Sequence, residues 1–417
     1  MKKFLLIIYT ACFLSLQVSS QPGNLDPNFG SSGLAVNSYQ SYITAIAVQP
    51  DGKIVATGYA YNGTSFGLAV FRYNTNGSPD ITFGVNGKIT GDLFSGNDVA
   101  IDANGKIVVA SGNSNHAAIA RFNPNGSPDA TFGNNGIVLF DFGRVAHFFT
   151  ALSIDPNGKI VAAGLAANQF VNSDDLTEKD IAIARVNPDG SYDLSFSGDA
   201  KHIEEGNNFE EATSVNISAG KIIVTGQHIV LRYNDNGTPD LSFDGDGKLV
   251  PPVVTGIASA MIQADGNIVI GGYNYGPLIV ARINSSNGSM DNSFGAGGFV
   301  YTNVGGNGVA NSVKQQPDGR IVAAGGGDNG GGDRNFVLAR YNTDGTPDNS
   351  FGSNGKVITS LGLGATILSI AIRNKIIYAG GALGVPDNPV SAPRFFGVLA
   401  AYNGAAVRLA CPGNTLA

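Results

Sequence analysis

Apolar residues in this chain come in short runs, and turn-forming residues cut each run off. Residues 98–141 show the pattern. Val99–Asp102, Lys106–Ala110, Ala117–Asn123 and Gly136–Asp141 are strand-like runs bounded by Gly, Asn, Asp or Pro. Runs of that length and punctuation predict β-strands joined by tight turns. Asp-Gly and Asn-Gly favour the left-handed geometry of two-residue hairpins. No stretch keeps a helical period between caps, so no helix is predicted.

Three landmarks recur in fixed order. The first is a tight turn before an apolar strand, as in Asp51-Gly-Lys-Ile-Val; the residue after the turn falls at 53, 106, 159, 221, 267, 320 and 375. The second is a strand ending in Arg, aromatic and Asn, or a close relative, at Arg72, Arg121, Arg185, Arg232, Arg282 and Arg340, with Ala401-Tyr402-Asn403 in the last copy. The third is Asp-x-x-Phe, begun by Asp26, Asp80, Asp129, Asp193, Asp240, Asp291 and Asp348. Seven repeats of about fifty residues with four runs each describe antiparallel blades repeated radially. A β-solenoid is the rival, but its repeats are usually shorter and its strands pair in parallel.

Gln49-Pro-Asp51-Gly-Lys-Ile-Val, Arg72-Tyr-Asn and Asp80-Ile-Thr-Phe-Gly resemble the delta-60 repeat family of exported bacterial proteins, over residues 24–403. The hairpin Ile43–Gly58 is also similar to WD-repeat blades, without their Trp-Asp signature. The resemblance implies an all-β, seven-bladed propeller with no general activity assigned to it. It also sets the phase: Ile43–Val48 innermost in blade 1, then Lys53–Gly58, Phe66–Asn74 and Gly87–Gly91. Blades are then expected over 43–91, 98–141, 150–204, 212–251, 258–302, 309–359 and 366–403. Blade 7 takes its fourth strand from the N-terminus, at 33–37, which leaves no open edge in the ring.

Composition narrows the setting. Gly makes up 58 of 417 residues, as many tight turns require, and the net charge is −7 without a basic run. Nucleic acid is therefore not an expected partner. Lys2 and Lys3, an apolar stretch to Val18 and Ser19-Ser20 read as an export signal over 1–20, giving a secreted, periplasmic or cell-surface protein. Lipidation at Cys12 is the alternative. No transmembrane segment is expected in the mature chain, which is read as a monomer with a tail at 404–417. Only Cys411 would remain, so no intramolecular disulfide can staple it.

The recurrent Phe is expected between blades, stabilising by ~1.5–3 kcal/mol per copy. Each Arg shares a strand face with an apolar residue and needs a partner. The expected pairs are Arg72–Asp80, Arg121–Asp129, Arg185–Asp193, Arg232–Asp240, Arg282–Asp291 and Arg340–Asp348, with Asp26 left without one. No cofactor or metal is called for. Calcium is the alternative at Asn74-x-Asn76-Gly-x-x-Asp80 and Asp244-Gly-Asp246-Gly, where turn chemistry explains the same residues. The Gly-x-Ser-x-Gly match at 63–67 lies in a hairpin loop, and the Gly-x-Gly-x-x-Gly match at 325–330 leads into a strand, so neither has the helix it needs. His116, His147, His202 and His228 are read as partly exposed loop or strand residues.

In an antiparallel meander, alternate connections lie at the same end. The near-constant links therefore share one face of the disc and the variable loops share the other. That variable face carries Tyr39, Tyr42, Tyr59, Tyr61, Phe94, Phe148, Phe149, Tyr273, Tyr275, Asp328, Asp333 and Arg334, with acidic pairs at Asp174-Asp175, Glu204-Glu205 and Glu210-Glu211 and the longest insertion at 381–394. Loop aromatics beside polar groups suit a glycan or protein ligand. The expected function is a non-catalytic binding scaffold. The alternatives are a glycan-active enzyme, with Glu204 and Glu210 as its first candidate acids, and a structural module of a cell-surface assembly.

Overall fold

The second and third runs of each repeat are the most apolar, and they are buried along most of their length. Ile107–Gly112 and Ala117–Phe122 have no exposed residue, whereas the outer strand Lys88–Thr90 is half-exposed. A strand with neighbours on both edges and a blade packed on each face reads as a continuous apolar run, not an alternating one. The computed structural model describes residues 21–113, 115–172, 175–205, 210–328, 334–361, 364–385 and 394–404. Every regular element among them is a strand. The signal segment, Cys12, Cys411, Asp174, Asp333 and most of the 381–394 insertion lie outside the described residues.

Five sheets have four antiparallel strands each, in sequence order. The sixth has seven strands. It divides at Leu34–Val48, a single strand whose first half pairs with Arg394–Asn403 and whose second half pairs with Ile54–Tyr61. Leu34 faces Ala400 and Val36 faces Val398, while Ser41 faces Ala60. The closing strand of blade 7 and the inner strand of blade 1, read from the sequence as separate pieces, are one strand. Seven blades result. Seven apolar clusters occupy the seven joints between consecutive blades, the last joining Leu399 and Tyr378 to Ile43 and Phe71.

The inner strands of blades 1, 3, 5, 6 and 7 share a bulge. Register slips past Thr44, Thr150, Ala258, Asn311 and Leu368, each of which lines the central cavity. A bulge re-aims one side chain and bends its strand. The neighbouring strand must make room: a Cβ on Gly58 would lie 1.8 Å from the Tyr42 carbonyl oxygen.

Pairing also corrects the seventh repeat. Tyr378 faces Ala401 as Val55 faces Arg72, so Ile376, not Lys375, occupies the position of Lys53. Asn374 and Lys375 form the turn itself, both at positive φ.

Candidate functional site

The constant face is built from one joint used six times. Arg72 Nε lies 2.7 Å from Asp80 Oδ2. The same pair recurs at Arg121–Asp129 (2.7 Å), Arg185–Asp193 (2.6 Å), Arg232–Asp240 (2.8 Å), Arg282–Asp291 (2.6 Å) and Arg340–Asp348 (2.7 Å). All of these side chains are buried. Each guanidinium lies over the Phe of its own Asp-x-x-Phe, 4.2–5.2 Å from the ring centre, and those rings are wholly buried.

Two further partners were not legible in the sequence. The Arg Nη1 donates to a carbonyl of the following blade: Arg121 to Pro188 and Arg282 to Thr343, both at 2.6 Å, and Arg72 to Pro124. The turn lysine adds a second cation to the same carboxylate, as Lys53 to Asp80 (2.8 Å), Lys106 to Asp129 (2.6 Å), Lys159 to Asp193 (2.8 Å) and Lys221 to Asp240 (2.9 Å). Burial alone would raise these carboxyls. Hydrogen bonds from Lys159 and Ser195, with the Arg185 charge, instead hold Asp193 at about 2, and Lys221, Ser242 and Arg232 hold Asp240 at about 2. Asp80, Asp129, Asp291 and Asp348 are lowered too. These groups hold the scaffold together and leave no free chemistry.

The variable face gathers part of the expected aromatic set. Tyr42 and Tyr59 stack with centroids 5.3 Å apart and planes 4° apart. Phe395 meets Tyr42 edge-on at 5.8 Å, and Phe66 meets Tyr59 at 5.6 Å and Tyr61 at 5.3 Å. Five rings thus run in contact from the last strand of blade 7 across the second hairpin of blade 1. Tyr61, Phe66 and Phe395 are 41%, 50% and 38% exposed. Phe66 and Phe395 were missed, because both sit at the first turn of a strand that reads as core. Burial raises the Tyr42 hydroxyl, and the charge of exposed Arg334 partly offsets it.

The other candidates lie elsewhere. Phe94 and Tyr275 are exposed on blades 2 and 5, and Tyr273 covers Gly256. Asp328 is tied to Asn307 in blade 6. Tyr39 is half-buried against Phe71 with the Lys88 ammonium 4.3 Å over its ring, and burial raises its hydroxyl to about 12. Phe149 is a correction: it is fully buried against Phe140 and Phe142, because neighbouring strand residues point to opposite faces. Phe148 points the other way and lines the central cavity.

The candidate acids are already engaged by neighbouring side chains. Glu204 accepts from Tyr233 (2.8 Å) and Lys248, and these bonds, with His202, outweigh burial and hold its carboxyl at about 2. Glu210 is buried and accepts from His228. In the proposed calcium loops, Asn76 Oδ1 accepts from Ser78 and Asp246 from the Lys248 amide, as in ordinary turns. His147, read as partly exposed, is 2% exposed, with its ring 6.2 Å from His116 of the neighbouring blade.

A central cavity of about 680 Å³ is lined by the inner strands of all seven blades. One equivalent position per blade forms a ring, next to the bulge where the blade has one: Ala45, Asp98, Ala151, Ser214, Ser259, Ser312 and Ser369. Ser259, Ser312 and Ser369 accept the amides of Val313, Ile370 and Ile46 in the following blade, at 3.2–3.3 Å. Asp98 accepts that of Leu152 at 2.9 Å and its neighbour Val99 at 2.8 Å. Burial pushes the Asp98 carboxyl up. Lys314 lines the same cavity and is exposed to it. In blades 1, 3, 5, 6 and 7 strand alternation alone does not reveal these residues, because the bulge decides which side chains the cavity receives.

Six segments, 49–83, 103–132, 156–196, 220–243, 263–294 and 316–351, match the family model described as a domain of unknown function (DUF5122) beta-propeller. No curated protein matches the chain. Among solved structures, virginiamycin B lyase from Staphylococcus aureus is 13% identical over 88% of this chain and 98% of its own, with a TM-score of 0.51. Sqt1 from Chaetomium thermophilum is 11% identical over 89% and 98%, at 0.49. The Neurospora crassa Pan2 WD40 domain is 9% identical over 87% and 90%, at 0.44. At such identities the likeness is one of fold alone.

Proposed function

Since this chain is a repeat β-propeller of the DUF5122 type, we propose that it is an exported, non-catalytic scaffold that holds a glycan or protein partner on its variable-loop face. The observation that carries this reading is the five-ring cluster from Phe395 to Tyr61, exposed at both ends. Clustered, partly exposed aromatics are the usual anchors of a binding surface. The reading of the face as non-catalytic is supported by Glu204 and Glu210, whose carboxylates are engaged by Lys248, Tyr233 and His228. No helix among the described residues is long and apolar enough to cross a membrane. The test is binding of the mature chain to a glycan array and to a panel of surface proteins, with a Tyr61→Ser, Phe66→Ser double variant alongside. Binding lost in the variant with its melting temperature kept supports the proposal. Silence on both, with self-association in sedimentation, overturns it in favour of a structural module.

A further inference from the structure

The central cavity carries an inference independent of the aromatic face. Its volume of about 680 Å³ suits a small molecule. On one side, Ser259, Ser312 and Ser369 of blades 5, 6 and 7 each use an oxygen lone pair to accept a neighbouring amide. A hydroxyl engaged that way still has its own proton to donate. Lys314 follows Ser312 by two residues, on the same side of its strand, and is an exposed residue that lines the cavity. This wall therefore offers hydrogen-bond donors and one positive charge. Asp98 of blade 2 stands three blades away, as far round as a seven-membered ring allows, and is the carboxylate lining the cavity. Asp98 already draws on the amides of Val99 and Leu152.

We propose that the cavity binds a small hydroxylated organic monoanion, its oxyanion group held by Lys314 and the serine hydroxyls of blades 5–7. Charge-assisted hydrogen bonds in a confined site supply the affinity. Asp98 supplies selectivity, because a dianion would bring its second charge against the opposite carboxylate. Hydroxyl groups on the ligand find acceptors and donors among the polar residues between the two poles.

The test is isothermal titration of the full mature chain with D-gluconate, inorganic phosphate, succinate and D-glucose at millimolar concentrations. Gluconate is expected to bind, neutral glucose not to, and succinate to bind more weakly. Lys314→Gln is expected to weaken gluconate by roughly tenfold or more, and Lys314→Arg to keep most of the binding. Asp98→Asn is expected to bring succinate up towards gluconate. Phosphate binding that is lost in Lys314→Gln, without gluconate binding, would overturn the organic monoanion as the ligand of this cavity. No response to either anion overturns the proposal. So does a response that Lys314→Gln and Lys314→Arg leave unchanged. Because both arms read cavity residues alone, they are separate from loss of the aromatic face.

Discussion

Between blades 1 and 2, one buried guanidinium ties together Asp80, Phe83 and the Pro124 carbonyl. Between blades 7 and 1 the corresponding space holds Ala401, Tyr378 and Phe29, with the Phe29 and Tyr378 rings 5.9 Å apart. The β-branched residue that faces arginine elsewhere, valine in five blades and Ile223 in blade 4, has become a tyrosine where the arginine has become an alanine, so bulk is kept across the strand pair. Arg373 supplies the missing tie from another position, donating to the carbonyls of Gln49 (2.7 Å) and Pro50. The comparison teaches that a joint can close without its ion pair, in keeping with the narrow margin between Coulombic gain and desolvation for buried charges. What arginine adds is direction, because it fixes three neighbours at once among blades that otherwise look alike.

The largest effect on that comparison should come from acid. A carboxyl whose folded pKa is below its unfolded value of about 3.9 stabilises the fold above that pH and ceases to as pH falls through the folded value. Asp193 and Asp240, at about 2, and their four lowered counterparts therefore withdraw their support together. Melting temperature is expected to hold down to about pH 4 and to fall steeply from there towards pH 2. A flat profile would mean that the six pairs do not stabilise the ring.

Breaking one joint comes next. Arg340→Ala leaves Asp348 buried with Ser350 and, as its one remaining cation, the more distant Arg320, 3.4 Å away, and is expected to cost ~3–5 kcal/mol in urea unfolding. Converting the seventh joint to the type of the others tests the coupled exchange. Ala401→Arg alone should destabilise by ~1–3 kcal/mol through crowding against Tyr378, and adding Tyr378→Val should recover most of it. Additive effects in that double-mutant cycle would rule out the coupling. The smallest effect is expected in blade 5, where Asn267 stands in the turn-lysine position. Asn267→Lys should add a second cation to Asp291 and raise stability by about 0.2–1 kcal/mol.

Much of this was written in the repeat. Three landmarks in seven copies specify blades, turns and the Arg–Asp partners, because those residues act within one repeat and recur at one spacing. Contacts that cross from blade to blade were hidden. The carbonyls of Pro188 and Thr343 belong to the following repeat, and a backbone acceptor leaves no mark in a sequence. The same holds at the cavity. Thr44 and Asn311 reach it because a bulge slips the register, and Asp98 and Lys314 come to line one cavity only when the ring closes. Phe149 and Phe395 show the limit in both directions. An aromatic near a loop was core, and one at a strand start was surface, because position along a strand does not say which side is covered.

Leu34–Val48 has a consequence in time. Its first half has no partner until Arg394–Asn403 exists, so for nearly the whole length of synthesis blade 7 is missing and an unpaired edge stays open. Sheets that depend on contacts so far apart in sequence fold slowly and expose sticky edges while they wait. The ring can lock only after its last strand has been made, and a chain cut short before residue 394 would lack the lock however well its earlier blades had formed.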